Sequence, residues 1–304
     1  MKRLLLSLLF VATGLFVVDR IGGQLMWWVN QHTQDVSGPK IKYLINEVHE
    51  DVLLLGTSRC NLHYVPSILQ DTLGMSVYNG GIDASHCIYA HYFIFNHVLA
   101  HHTPKLVCVE LSEYDYLPEG KKGFETISFF GPYAGKNAAA DSVFRDAGTW
   151  WKYQLSHLYR YNAKAVSNIA GLWVSRQSGE DHGYLPNPKP AQFPNSLEDV
   201  KTPKGIDTQK LDYLNRFISL CEKRSIQLVF MVSPAYTVAA PDLYDVLKQL
   251  AAERHIPFLD YHSEGLYLDH PEYFKDAEHL WDQGARLYTA RFAHDLLELL
   301  RYKE

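Results

Sequence analysis

From residue 51 onward, short leucine-rich or β-branched runs alternate with longer segments whose apolar positions recur three and four residues apart. The short runs read as buried strands and the longer ones as amphipathic helices. Strands are predicted at 51–55, 76–78, 106–111, 227–232 and 257–259, and helices at about 61–72, 85–100, 207–224 and 241–254, with a closing helix over 283–302. Pro66 sits where a first helical turn can begin, so the helix after the first strand is expected to start late. Strands alternating with helices in this way imply an α/β fold, a parallel sheet with helices on its faces.

The alternation stops over 112–206. This stretch holds proline- and glycine-containing patches ("FFGPYAG", "LPNPKPAQFPNS"), many aromatics and one expected helical segment at about 139–172. It is an insertion after the third strand. Loops at the carboxyl ends of parallel strands surround the sites of such folds. The insertion is therefore either a cap over the site, an annex packed on the sheet, or a patch resting on a membrane surface.

The N-terminus has a different pattern. Lys2 and Arg3 precede a mostly apolar run from Leu4 to Val18, then Asp19-Arg20 and an amphipathic stretch from Ile21 to Val29 with Trp27 and Trp28. The uninterrupted run is shorter than the roughly 20 residues of a full span and is also the length of a signal-peptide core. No small-x-small cleavage pattern closes it. Residues 1–30 are read as an uncleaved signal anchor extended past the charged pair, with a cleaved signal peptide as the alternative. Residues 31–304 form the exported domain. Basic residues at the start put that end in the cytoplasm and the domain outside it.

Composition narrows the partners. Hydrophobic residues make 47% and charged residues 21% of the 304, which is ordinary for a globular protein. The net charge of −5 and the lack of a basic run in the exported domain argue against nucleic acid. Cys60, Cys87, Cys108 and Cys221 lack metal-type spacing and are expected as buried free thiols. His86, His91, His97, His101 and His102 crowd one segment but do not share a helical face with carboxylates, so no metal site is expected there. No cofactor is called for.

Two stretches can carry chemistry. In "LLLGTSR", Ser58 follows the first strand at its carboxyl end, where a small residue allows a sharp turn that either presents the hydroxyl or merely caps a helix. In "DAEHLWDQGARLY", Asp276 and His279 are three residues apart and can share a face. A serine nucleophile needs an imidazole to take its proton, and the imidazole needs an acceptor to fix its tautomer. Arg59 beside the serine can meet a polar or anionic substrate group or pair with an acidic neighbour. "MVSPAY" ends the fourth strand at the same rim, where Tyr236 either lines the pocket or belongs to a strand-ending turn.

Together the two stretches resemble the SGNH hydrolase superfamily, or GDSL-type esterases. They resemble in particular its membrane-anchored envelope branch, which includes alginate O-acetylation proteins and the D-alanyl transfer protein of teichoic acid synthesis. The resemblance implies a flavodoxin-like three-layer fold with a parallel sheet of about five strands. It maps the nucleophile to Ser58, its base to His279 and the orienting carboxylate to Asp276. It also implies an oxyanion hole from the Ser58 N–H and a glycine in "VYNGGIDASH", assigned to Gly81. The family's third block departs here: "ELSEYDY" sets Ser112 or Tyr114 where an asparagine donor is frequent, and Tyr114 is taken as substrate-binding with Arg59 and Tyr236. The resemblance covers about 50–111 and 225–302.

The expected function is that of a serine esterase or O-acyltransferase acting on acyl esters, acetyl above all, of a cell-envelope polysaccharide. The expected location is the bacterial inner membrane with a periplasmic catalytic domain, with a membrane acyl-transfer protein as a further possible partner. The alternative is a non-catalytic, membrane-anchored binding or scaffold protein of a polysaccharide-modifying complex.

Overall fold

The computed structural model describes residues 1–304 except 36, 84–86, 119–125, 175–179, 200–204, 239, 263 and 302–304. Its centre is a parallel sheet of five strands, β1 (Val52–Leu55), β2 (Val77–Asn79), β3 (Leu106–Glu110), β4 (Gln227–Val232) and β5 (Phe258–Asp260). Their order in space is β2-β1-β3-β4-β5. This is the flavodoxin-like order, in which the chain reverses direction across the sheet between β1 and β3 and opens a crevice at their carboxyl ends. All four neighbouring pairs are parallel. The fold class expected from the alternation is thus the one observed.

Because successive strand residues point to opposite faces, the apolar runs fill two cores. Leu53, Leu55, Val107, Val109, Leu228 and Phe230 face one core, whose helices are α2 (Gly38–Asn46), α5 (Ile88–Val98), α6 (Thr208–Lys223) and α7 (Asp245–Glu253). Val52, Leu54, Leu106, Cys108, Val229 and Met231 face the other, closed by α4 (Pro66–Leu73) and α8 (Asp282–Arg301). The single helix expected over 61–72 is two, α3 (Ser58–His63) and α4, because Pro66 disfavours the helical conformation of the residue before it and starts a new first turn. The 85–100 helix is α5; its expected residues 85 and 86 lie outside the described residues. All four cysteines are free and buried, as expected.

The insertion does not form the long helix expected over 139–172. It is a series of short helices, Ser142–Asp146, Trp150–Leu155 and Ala165–Ala170, joined by single 3-10 turns such as Leu158–Tyr161. Gly148 (φ 67°) sits between the first two and takes a left-handed conformation that ends a helix. Towards the amino end the chain is one continuous helix, α1 (Lys2–His32), long and apolar enough to cross a membrane, and its most apolar window is not buried by the rest of the protein.

Gly56 marks where β1 must turn. A Cβ there would lie 2.5 Å from the Cys60 Cβ and 2.7 Å from the Glu110 Cβ. Both neighbours sit in fixed backbone, so Gly56→Ala is expected to destabilise the full chain by about 1–3 kcal/mol through overpacking, read by chemical denaturation in detergent. An unchanged midpoint would mean that the turn relaxes freely. His97 generates a second expectation. It is 4% exposed in α5 between Phe93 and Tyr133, and burial lowers its pKa to about 4. The unfolded chain then binds a proton below about pH 6.5 that the native chain refuses, so stability is lost as pH falls through that value. Between pH 6.5 and 5, His97→Phe is expected to lose about 1 kcal/mol per pH unit less than the wild type. Parallel losses would show that His97 is not held neutral.

Candidate active site

β1 ends in Gly56-Thr57, and Ser58 opens α3, where the first N–H groups of a helix have no intrahelical acceptor. Some 220 residues later the loop before α8 returns to the same rim. There the His279 Nε2 lies 2.9 Å from the Ser58 Oγ, and its Nδ1 lies 2.9 Å from the Asp276 Oδ1. Asp276 can only accept when ionised, so Nδ1 carries the ring proton and Nε2 is left to accept the serine hydroxyl. The same Asp276 oxygen accepts the backbone N–H groups of Glu278 (3.0 Å) and His279 (2.9 Å). Partial burial pushes the Asp276 carboxyl up, but the His279 ring and these two amides outweigh it and hold the group below its usual range. The three residues singled out from sequence are therefore brought together in hydrogen-bonded order.

The loop itself is tightly braced. Its turn closes through Lys275 N–H to the His279 carbonyl (2.8 Å) and a bridge between Phe274 and Leu280. The N–H of Leu280, next to His279, donates to the His63 Nε2 (2.9 Å). His63 must then carry its proton on Nδ1, which donates to the Ser233 Oγ (2.8 Å). Ser233 passes its own proton to the Glu110 Oε1 (2.7 Å), and its backbone N–H donates to the same oxygen (2.9 Å). Burial drives the His63 pKa well below 6.5, and the nearby Arg59 charge lowers it further, so the ring is neutral and its acceptor nitrogen stays available.

Glu110 is the hub of this network. It is 1% exposed at the end of central β3, pairs with the Arg59 guanidinium at 3.1 Å and accepts the Tyr64 hydroxyl, which in turn accepts from Tyr288 (2.9 Å). Burial pushes the Glu110 carboxyl up, while Arg59, Tyr64 and Ser233 pull it back. Arg59 is thus a buried, paired cation that also lines the cavity beside Ser58. It takes the second of its two expected roles, pairing with an acidic neighbour, and also donates to the Ser233 hydroxyl (3.2 Å) and carbonyl. Glu110, His63 and Ser233 were not singled out from sequence. A glutamate closing an apolar strand is the one signal that pointed to them, since it must find partners when buried.

The remaining expected residues divide. Ser112, Glu113, Tyr114, Thr237 and His262 line a cavity of about 30 Å³ beside Ser58. Tyr114 is therefore at the site. Tyr236 is not among the lining residues; it packs on Phe274 in the core, and its N–H holds the Ala277 carbonyl (2.7 Å), so it belongs to the strand-ending turn. The Ser112 hydroxyl is committed to Asp115 (3.1 Å), which it caps. Gly81 lies against the start of α3, where a Cβ would meet the Asn61 nitrogen at 2.3 Å. Its N–H donates to the Asn79 Oδ1 (3.0 Å), and its carbonyl accepts from the buried Lys40 Nζ (2.7 Å), whose pKa burial lowers to about 8. The amide expected to serve an oxyanion thus already has an acceptor. Asn79 also donates to the Cys60 and Tyr64 carbonyls (2.8 Å each), pinning the second loop to α3.

The insertion reaches the site as a brace. Asn187 donates to the Leu280 carbonyl (3.0 Å) and accepts from the Lys275 Nζ (2.7 Å), and the Asn79 N–H donates to the His182 carbonyl (2.9 Å). In the histidine-rich segment, His91 faces Asp115 at 3.9 Å, His101 and His102 bond backbone carbonyls, and His86 lies outside the described residues. Among the described residues, the one histidine–carboxylate group close enough to hold a metal is His294, Asp295 and Glu298 on the outer face of α8.

No family model matches the sequence, and no curated protein matches it. Among solved structures, the chain is similar to a protein described as lipolytic, of the G-D-S-L family, from Desulfitobacterium hafniense DCB-2. The identity is 13%, the TM-score 0.41, and 80% of this chain and 97% of that one are covered. It is similar to a protein described as an acylhydrolase from Bacteroides fragilis NCTC 9343, with 15% identity, a TM-score of 0.42, and 84% and 95% of the two chains covered. It is also similar to an acetyl xylan esterase, AlAXEase, with 13% identity, a TM-score of 0.41, and 81% and 98% covered. Similarity at this level leaves the site to be argued from its own geometry.

Proposed function

We propose that the protein is a membrane-anchored serine esterase or O-acyltransferase that acts, outside the cytoplasm, on short acyl esters of a cell-envelope polysaccharide. The observation that carries the chemistry is the relay from Ser58 through His279 to Asp276, with both contacts at 2.9 Å. The Ser58 oxygen attacks the ester carbonyl as its proton passes to the His279 Nε2, and Asp276 stabilises the imidazolium through Nδ1–H. The oxyanion meets the Ser58 N–H at the start of α3, and the Gly81 N–H if it exchanges Asn79 for the new charge. His279 then protonates the departing alcohol, leaving an acyl-serine that water or a sugar hydroxyl resolves with His279 as base.

The small cavity supports a short acyl group: about 30 Å³ leaves room for roughly one or two heavy atoms beside Ser58. The apolar α1 and its basic first residues support the anchor and its orientation. The envelope glycan and a membrane acyl-transfer partner rest on the sequence resemblance. A second reading, a non-catalytic anchored binding or scaffold protein, is favoured by Gly81 and Ser112 already having partners within the fold.

The full chain in detergent is expected to release p-nitrophenol from the acetyl ester, and Ser58→Ala and His279→Ala are each expected to abolish release to within the uncatalysed background. Equal release by wild type and Ser58→Ala, with no fluorophosphonate adduct on Ser58, would favour the binding protein. The acetyl ester is expected to be used at least about 10-fold better than the octanoyl ester, since a long chain must leave the cavity and lose packing. Equal kcat/KM for the two would remove the cavity as the acyl site.

A further inference from the structure

Asp19 interrupts the apolar run of α1 beside Arg20, whose guanidinium it meets at 3.3 Å, and both side chains are only partly exposed. Asp19 accepts the Ser156 hydroxyl and the backbone N–H groups of His157 (2.8 Å) and Leu158 (3.1 Å), all from the insertion. Gly22 and Gly23 let the insertion approach: a Cβ on Gly23 would lie 2.4 Å from the His157 Cβ, and one on Gly22 2.9 Å from a Leu158 methyl. The contact continues along α1 through Asn30 to Asn168 (2.9 Å) and Gln34 N–H to the Gly171 carbonyl (2.9 Å). The segment around 150–158 is thus fixed at the height of residue 19 on the helix axis.

That height decides the environment. At the rise of an α-helix, Asp19 stands about 22 Å from Leu4, whereas the hydrocarbon core of a bilayer is about 30 Å thick. Resting on the reading of α1 as a membrane span, we propose that the turn 150–158 is a foot of the domain immersed in the outer leaflet, its occupant the lipid itself. Its outer surface suits that place. Trp151 is 60% and Leu155 69% exposed, beside Leu158 and the likewise exposed Ile21 and Leu25 of α1. The amides where its chain leaves the short helix are satisfied from within, as apolar surroundings favour: Asp19 takes those of His157 and Leu158, and Tyr159 N–H donates to the Ser156 Oγ (3.0 Å). The foot also explains how a carboxylate is tolerated at that depth, since an ionisable group there must face protein donors. Further along α1 the exposed Trp28 stands where interfacial aromatics gather, while Trp27 and Trp150 pack against the core.

The test uses the full chain in vesicles of phosphatidylcholine and phosphatidylglycerol, with a nitroxide on one introduced cysteine at a time. The four native cysteines are buried, and the unsubstituted chain reports their background labelling. Leu155→Cys reads the foot, Phe10→Cys the anchor and Lys223→Cys the aqueous surface. The expected result is an oxygen-to-nickel-chelate collision ratio at 155 and 10 several-fold above that at 223. A ratio at 155 equal to that at 223, with 10 in lipid, overturns the foot and leaves the anchor standing. Shielding of 155 from both reagents overturns it in favour of a protein partner or a second copy. An aqueous ratio at 10 overturns the anchor reading and the foot with it.

Discussion

The pairing of Glu110 with Arg59 beneath the carboxyl edge of the sheet is the constraint on which the rest of the site depends. Glu110 closes the central strand, and Arg59 follows Ser58 in the first turn of α3. Neither charge can be removed alone, because the survivor would be left buried without a partner, typically at a cost of about 3–5 kcal/mol. The pair fixes the strand end, the serine's helix and, through Ser233, the end of β4 to one another. His63 extends the same network to the Leu280 amide. Four segments far apart in sequence therefore share one buried polar cluster, and Ser58 and His279 each sit one residue from a member of it.

The relay at the rim is less buried than the network beneath it. Asp276 is half-exposed at its side chain and relies on two amides of its own loop as well as on His279. Its position is consequently set by loop closure more than by packing, which makes the braces on that loop important. Asn187 from the insertion and His63 from α3 hold the two sides of Leu280. Of the three roles open to the insertion at the outset, its 181–187 portion is a brace packed on the fold, and its 150–158 portion carries the proposed lipid contact.

Much of this was legible in the sequence. The five strands and their helices fell where apolar periodicity put them, because strand burial on both faces leaves an unbroken apolar run that is easy to see. Ser58, Asp276 and His279 were legible because each stands at a strand end or helix entry. The supporting network was not, since Glu110, Ser233 and His63 acquire meaning only when long-range pairing brings them within hydrogen-bond reach. The split between α3 and α4 followed from Pro66. The insertion was misjudged as one helix because its aromatics recur at helical spacing while Gly148 and local polar bonds break the run. Tyr236 was offered a role at the substrate, but its burial and partners place it in the strand-ending turn, whereas Arg59 both pairs with Glu110 and lines the cavity beside Ser58.

The way α1 joins the domain has a mechanical consequence. The carboxyl-terminal half of the helix, from Asp19 on, and Gln34 just beyond it are held to the insertion, and α2 begins only a few residues later. With so short a connection, a tilt of α1 is passed to the body, and on the proposed reading of α1 as a membrane span the serine is carried at a set elevation and bearing. On the proposed reading of α1 as an anchor and of an envelope polysaccharide as acceptor, a protein mounted in this way does not sweep the surrounding space for polymer, and its acceptor has to be delivered to the place where it is planted.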